Sequence, residues 1–350
     1  MPTPTPNLAS LSHKFNRNVR LGASKSKADR AVYSNYAISR WFAVGWNGHG
    51  DSSAVHLKTV SVESFERRTG QKPLVLDKNT LDKNEAQGSP CSSILENVMP
   101  HLLSCAEKLK AEIERGDLKD VKLTMAARFG TILFQGSPSV NLDNVIRDCL
   151  GNLRRTFYTN LPAPYAANII AKVSSKIGVD FADVKHSYQV KIELNPVRDM
   201  VIDISCMDMD LDLRLGLTHK RVVTSLSEDE MQGIQTLINS AVLDPDVKGG
   251  LRWPFGKSLS GNRYNVIGVW HTNATAYENG SIRLKVQHAD RFDFRTTYGE
   301  ASNEVVLKLK GISSGLLQEQ DVETNAISVM LQDSLSLIWR HFLQCEPYLT

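Results

Sequence analysis

A chain of 350 residues, 41% hydrophobic and 23% charged, has the make-up of a globular protein with a sizeable core, arranged as two ordinary domains or one large one. No run approaches the roughly 18 consecutive apolar residues of a membrane-crossing helix, and the first residues lack the apolar stretch of a secretory signal. Five scattered cysteines without a Cys-x-x-Cys pair argue against a disulfide framework, and a net charge of +3 says little about partners.

Residues 1 to 50 carry Lys14, Arg17, Arg20, Lys25, Lys27, Arg30 and Arg40 against one acid, Asp29. Such a composition fits a disordered basic tail over 1–30. It also fits an organelle transit peptide, which is the weaker reading because Met1-Pro-Thr-Pro-Thr-Pro6 is stiff and extended. The expected compartment is therefore cytoplasmic or nuclear. The sequons Asn273-Ala-Thr275 and Asn279-Gly-Ser281 are read as incidental.

Order is expected from Ala31. Ser39–Gly45, Val55–Val62 and Pro73–Asp77 read as strands, and 78–88 as a polar linker. Ser89-Pro90 caps and opens a helix whose stripe is Ile94, Leu95, Val98, Leu102, Cys105, Ala106, Leu109 and Ile113, with Pro100 inside it and Gly116 ending it. A strand pair follows, Val121–Met125 and Thr131–Phe134, joined through Arg128-Phe-Gly130. The spacing of Val145, Ile146, Cys149, Leu150 and Leu153 predicts a helix over about 141–157, and a further short helix is expected over 165–176.

Tyr188–Leu194 alternates as a strand. Between 200 and 217 the apolar phase changes: Ile202, Ile204 and Cys206 share one parity, Met207, Met209, Leu211, Leu213 and Leu215 the other. A strand of period two cannot change phase without an extra residue, so a bulge or tight turn is expected near Cys206-Met207. Arg221–Thr224 closes that set. Ser227-Glu-Asp-Glu230 is a capping box, with Leu226 placed to staple onto Met231 and with Met231, Ile234, Leu237, Ile238 and Ala241 as the buried stripe. A Gly- and Pro-rich loop over 244–264 follows. Then comes a meander: Tyr264–Ala274, a turn at Asn279-Gly280 with a type I′ signature, Ser281–Gln287, Arg291–Thr297 and Glu304–Lys310. Gly311 and Ser313-Ser-Gly315 turn into a last helix with Ile327, Met330, Leu331, Leu335, Ile338 and Phe342 on its apolar face.

Clustered strands joined by hairpins predict an α+β fold, with antiparallel sheets, packed helices and a C-terminal four-stranded meander followed by a helix. The expected organisation is a 1–30 tail, a 31–178 N-terminal α+β region and a 179–350 C-terminal α+β region, the last two readable also as one composite domain.

Several chemical motifs fail on spacing. Gly250–Ser258 looks like a phosphate-binding loop but has five residues between its glycines where four are needed, and Pro254 removes one N–H from the cradle. Gly256-Lys-Ser258-Leu-Ser260 lacks the second glycine of a nucleophile elbow. No histidine pair has metal-ligand spacing, and no cofactor is expected. Asp208, Asp210 and Asp212 alternate, so on a strand they would share one face and could hold a divalent cation. The plainer reading is a solvated polar face, with Arg214 placed to pair with Asp212.

The meander carries the sharper signal. Ile282, Leu284 and Val286 alternate with Arg283, Lys285 and Gln287; Phe292 and Phe294 alternate with Arg291, Asp293 and Arg295; Leu307 and Leu309 alternate with Lys308 and Lys310. With the apolar sets in the core, one sheet face collects Arg283, Lys285, Arg291, Arg295, Lys308 and Lys310 against Asp293. Like charges on neighbouring strands are unfavourable unless spread out or occupied by a partner. The face is thus a candidate platform for RNA or another polyanion, extended by Arg252, Lys257 and Arg263 of the loop. Phe292 and Phe294 have the opposite parity, so a base-stacking platform is not expected. The alternative for the same residues is edge protection and solubility.

Ala37-Ile-Ser-Arg-Trp-Phe-Ala-Val44, Ala127-Arg-Phe-Gly130, Glu193-Leu-Asn-Pro-Val-Arg198, Lys248-Gly-Gly-Leu-Arg-Trp-Pro-Phe-Gly-Lys257, His288-Ala-Asp-Arg-Phe-Asp-Phe-Arg295 and Tyr348-Leu-Thr350 together resemble a family of plant proteins known as a domain of unknown function. The resemblance covers roughly residues 30–350. It implies a plant source and no particular activity. The chain departs from it in its Pro-Thr opening and around Asp180–Lys191, which is shorter, as if part of a hairpin were missing. The expected function is non-enzymatic binding of RNA or another polyanion. The alternatives are a metal-dependent enzyme using Asp208, Asp210 and Asp212, and a protein-interaction or structural module.

Overall fold

A computed structural model describes residues 30–33, 36–45, 54–78, 89–114, 121–136, 145–146, 150–193, 198–221, 227–239, 242–243, 251–252, 265–294, 298–317 and 324–349. The first strands are β1 (Arg30–Tyr33), β2 (Tyr36–Val44), β3 (Ala54–Val55) and β4 (Leu57–Thr59), followed by helix α1 (Glu63–Thr69) and β5 (Leu74–Leu76). Next come α2 (Pro90–Glu114), β6 (Val121–Gln135), β7 (Val145–Ile146) and β8 (Arg154–Tyr158). Helix α3 (Ala163–Asn168) continues through a π-helical turn (Ile169–Val173) into Ser174–Lys176. Then follow β9 (Asp180–Glu193), β10 (Arg198–Cys206), β11 (Asp212–Arg221), α4 (Glu228–Asn239), β12 (Val242–Leu243) and β13 (Leu251–Arg252). The chain ends with β14 (Asn265–Glu278), β15 (Ile282–Asp293), β16 (Tyr298–Leu309), α5 (Lys310–Leu317) and α6 (Thr324–His341). This is an α+β fold built on a large, mostly antiparallel sheet, with a C-terminal meander running into helix.

The main row of strands is β1-β9-β14-β15-β16-β6-β11-β10-β2. β1 is parallel to β9 and β2 is parallel to β10, while every step between β9 and β10 is antiparallel. Those six antiparallel steps restore the starting direction, so β1 and β2 point the same way. Only residues 34 and 35 separate them in the chain. One segment, 30–44, thus carries both edges of the row: its first part pairs with β9 and its second with β10. The row closes into a barrel of eight staves, which removes the open edges that an antiparallel sheet would otherwise present.

Period two divides each stave between an outer and an inner face. Outward go Met125, Ala127 and Phe129 of β6, Ile202 and Ile204 of β10, Leu213, Leu215 and Leu217 of β11, Leu284 of β15, and Leu307 and Leu309 of β16. They meet the stripe of α2 (Ile94, Val98, Leu102, Ala106, Leu109) and that of α6 (Ile327, Leu331, Leu335, Ile338) in one core, with Phe129 and Phe342 stacked at 4.8 Å. Each fully buried Leu, Ile or Phe here contributes about 1.5–3 kcal/mol of transfer free energy. Because the helices cover the outer face, the opposite parity lines the interior.

β6 changes neighbours along its length. Its first part pairs with β11 and, at Ala126–Arg128, with β16, and from Thr131 onward it pairs with β8. Gly130 sits at the change, where a Cβ would stand 2.0 Å from the carbonyl oxygen of Tyr158. Gly130→Ala should therefore push β8 off β6 and lower stability by about 1–3 kcal/mol, read as a drop in the urea midpoint. Beyond Gly130 the inward row of β6 becomes apolar: Ile132 and Phe134 join Phe157, Leu74, Leu76 and Leu150 in a second cluster. Ala43 of β2 and Met207, just after β10, join the same cluster.

Several expected elements take another form. Val121–Met125 and Thr131–Phe134 are one strand, β6, running straight through Arg128-Phe-Gly130. Of the helix expected over 141–157, Leu150 is helical, but Val145–Ile146 and Arg154–Tyr158 are the strands β7 and β8. Phe157 pairs opposite Ile132, and tertiary ladder pairing outweighs the helical spacing of the apolar residues. Val55–Val62 is strand only in part (Ala54–Val55, Leu57–Thr59) and leads into α1, held at its start by Glu66, whose carboxylate accepts from the Val62 N–H and Ser61 Oγ. Ile282–Gln287 and Arg291–Asp293 belong to a single strand, β15, so the described meander has three long strands, and residues 295–297 lie outside the described residues.

The Asn279-Gly280 turn is present but is not type I′, since Gly280 does not adopt positive φ; the Asn279 side-chain oxygen instead accepts from the N–H groups of Ser281 and Ile282. Gly311–Gly315 is helical within α5, and Gly315 lets α6 approach so closely that a Cβ would lie 2.7 Å from Ile327 Cδ1. The turn at 207–211 separates β10 from β11 where the apolar phase changes. The capping box closes α4, with Ser227 N–H donating to Glu230 and Glu230 N–H to Ser227 Oγ. The linker 79–88 and the staple residue Leu226 lie outside the described residues. Among the described residues no helix is long and apolar enough to cross a membrane.

Candidate functional site in the barrel interior

At the middle of the interior stands Glu304, 1% exposed. Its carboxylate accepts from Arg128 Nη1 at 3.2 Å, Gln287 Nε2 at 2.7 Å, Thr159 Oγ1 at 2.9 Å and Ser302 Oγ at 3.1 Å, and also from Arg291 Nη2. Burial pushes this carboxyl upward, but the guanidiniums of Arg291 and Arg128 overcome it and hold Glu304 at about 2. Burial in turn lowers Arg128 from the ordinary arginine value, Glu304 opposing that shift and Arg291 and Arg214 adding to it. Four strands supply most of the cluster, β15 (Gln287, Arg291), β16 (Ser302, Glu304), β6 (Arg128) and β11 (Arg214), and Thr159 comes from the segment just after β8.

Around this centre the walls are charged and paired. Arg214 donates to both oxygens of Asp203, at 2.6 and 2.8 Å, and its guanidinium lies 4.6 Å from the Phe157 ring. The Trp270 ring is flanked by Lys191 Nζ at 3.5 Å and the Arg291 guanidinium at 4.9 Å. Toward the opposite end Arg283 donates to both oxygens of Asp183, at 2.8 and 2.9 Å, and to Glu278 at 2.7 Å.

Of the residues singled out in the sequence, Arg283, Lys285, Arg291 and Lys308 share one face, with Arg283 directly opposite Lys308. That face is not an open platform: the sheet curls, and the four line the inside of the barrel. Alternation along a strand reports which residues share a face, not how the sheet curves. Lys310 opens α5 and lies 3.5 Å from Glu278. Arg252 stands in β13, which runs close to β15 and β16. Lys257, Arg263 and Arg295 lie outside the described residues. Phe292 faces outward and packs against Phe294, centroids 5.3 Å apart, in keeping with the parity argument against a stacking platform.

Sequence reasoning missed Arg128 and Glu304. Glu304 has the parity of Lys308, so its place on the basic face was readable. Arg128 was hidden because the segment around it reads as a connector, and its partner is 176 residues away.

The three alternating aspartates do not share a face. Asp212 starts β11 and is buried, its oxygens accepting from Lys78 Nζ at 2.7 Å, Cys206 N–H at 3.2 Å and Ile132 N–H at 2.8 Å. Asp208 and Asp210 lie in the turn before it, where Asp210 accepts from the Cys345 N–H at 2.8 Å. Arg214 pairs with Asp203 rather than Asp212. The turn at 207–211 breaks the alternation that would have aligned the carboxylates. Among the described residues no three His, Cys, Asp or Glu side chains are placed to hold a metal ion together.

A closed, helix-flanked barrel with an ion-paired interior is thus the type of protein that fold and site define. The chain belongs to the family described as Domain of unknown function (DUF7903), whose model matches residues 25–193 and 190–342. Two solved structures of the S. pombe RNA triphosphatase Pct1, one of them in complex with the Spt5 CTD, are similar to it at 11% and 12% identity. The similarity covers 75% of this chain and 96% and 97% of theirs, with a TM-score of 0.39 in each case. No curated protein matches the sequence.

Proposed function

We propose that this protein is a non-enzymatic binder of RNA or another polyanion, and that the ligand is taken inside the barrel. One observation carries the reading: Arg283, Lys285, Arg291 and Lys308 converge on the inner face, beside Arg128 and Arg214 of the adjoining strands. Guanidinium and ammonium groups lining a groove are the standard means of holding a phosphate chain. An eight-stranded barrel has room for little more than side chains or one narrow ligand, so the ligand is a single strand, a chain end or a small polyanion rather than a duplex. The Trp270 ring is already flanked by two cations, which favours recognition of phosphates over stacking of bases.

The resemblance noted in the sequence favours a plant source, and the scattered cysteines without a paired motif favour a reducing compartment such as the cytoplasm or nucleus. A second reading, a protein-interaction module, draws on Phe181 and Val184 of β9, 62% and 55% exposed on the outer face.

Titration of labelled single-stranded RNA at several salt concentrations tests the proposal. Binding should weaken steeply with salt. The slope should flatten by roughly one unit for each phosphate that Lys285→Glu or Lys308→Glu leaves unneutralised. An absence of binding at low salt would sink it.

A further inference from the structure

Three guanidiniums and two carboxylates meet at mid-depth in the barrel. Arg128 stands directly opposite Arg214 across the β6–β11 ladder, and Arg128 and Arg291 converge on Glu304. Asp203 answers Arg214, and Glu304 answers the other two. The group therefore carries one positive charge in excess, inside a wall whose outer side is the apolar core. Like charges facing each other across a ladder are unfavourable without a counter-ion.

The three arginines differ in how many of their N–H groups are engaged. Arg214 donates from Nε and Nη2 to Asp203, and Arg291 from Nη1 to Ser302 and from Nη2 to Glu304. Arg128 gives Nη1 to Glu304 and, among the described residues, makes no other hydrogen bond. Its side chain is 36% exposed while its neighbours Ala127 and Phe129 are 0% exposed, so the accessible part of the guanidinium faces the interior. A guanidinium fixed at one corner with its remaining N–H edge presented is suited to a tetrahedral oxyanion.

The carboxylates nearby are already engaged. One oxygen of Glu304 accepts from Thr159, Ser302 and Arg291 and the other from Arg128 and Gln287, while both oxygens of Asp203 accept from Arg214. A divalent cation would find no available carboxylate pair here.

We infer that Arg128 is the anchor of a phosphate-binding subsite in the barrel interior, positioned by Glu304, and that it takes the phosphate without a divalent metal. The inference rests on the reading that the interior receives a phosphate-bearing ligand, and it adds the group that holds the phosphate and the independence from metal.

Calorimetric titration of the full chain with inorganic phosphate, in the presence of a chelator and with chloride at matched ionic strength as the control, tests it. Wild type should bind phosphate equally well with and without magnesium. Arg128→Gln should bind about tenfold more weakly or worse, and Arg128→Lys, which keeps the charge and loses the fork, should fall between. Phosphate affinity undiminished in Arg128→Gln, or present only with magnesium, overturns the subsite. Should Arg128→Gln fail to fold, undiminished affinity in folded Arg128→Lys overturns it equally. RNA binding with a salt slope untouched by Arg128→Gln would remove this subsite and leave the polyanion reading standing. Phosphate binding lost on Arg128→Gln, with no RNA bound at low salt, would do the reverse for RNA.

Discussion

Glu304→Ala should be among the most damaging single substitutions in the chain, costing about 3–5 kcal/mol in a urea melt, because it leaves two inward guanidiniums facing each other with no anion between them. Glu304→Gln keeps the shape and some hydrogen bonds and should cost less. The same carboxylate makes stability depend on pH in a definite direction. Its folded value of about 2 lies below the ordinary 4.5, so its contribution is fully present above that ordinary value and is lost as the pH falls through about 2. The shift corresponds to about 3 kcal/mol. Urea melts of wild type at about pH 6 and about pH 3 should show part of this loss, and Glu304→Gln should show less of it. Equal pH dependence in the two proteins would contradict the ion-pair account of the cluster.

Asp212→Ala should be comparably severe, at about 3–5 kcal/mol, since it strands the Lys78 ammonium and two backbone donors, Cys206 N–H and Ile132 N–H, at the junction of β10, β11 and β6. Asp208→Ala and Asp210→Ala, on the exposed turn, should each stay within about 1 kcal/mol of wild type. A metal site shared by the three predicts something else: similar losses of a metal-dependent rise in melting temperature for all three variants. Denaturant and thermal melts of the three side by side, with and without magnesium, separate the two accounts.

Local patterns that bury one side of one element were readable in the sequence. The stripe of α2, the stripe of α6, the capping box at Ser227 and the phase change at Cys206-Met207 each depend on neighbours a few residues apart, and each is found where it was expected. The closure of the sheet was not readable. It depends on the 30–44 segment pairing parallel to β9 with one part and to β10 with the other, and parallel pairing over such a separation leaves no local signature. The continuity of β6 was missed for a related reason. Arg128-Phe-Gly130 resembles a connector, and only the arrival of Tyr158 against Gly130 explains why a glycine stands inside a strand.

The same limit shaped the reading of the site. Alternation put Arg283, Lys285, Arg291 and Lys308 on one face, and they do share it. That the face is an interior, with Arg283 held by Asp183 and Arg291 by Glu304, depends on partners 100 residues and 13 residues away respectively, across strands whose order the sequence does not announce.

The central claim is that a polyanion is held within the barrel rather than on its surface, and lysine acetylation footprinting locates it most directly. With saturating single-stranded RNA or another phosphate chain, Lys285 and Lys308 of the interior should be protected, while Lys108 on the exposed side of α2 and Lys172 near α3 should react as in the free protein. Protection of Lys108 or Lys172 with Lys285 and Lys308 unchanged would contradict the account.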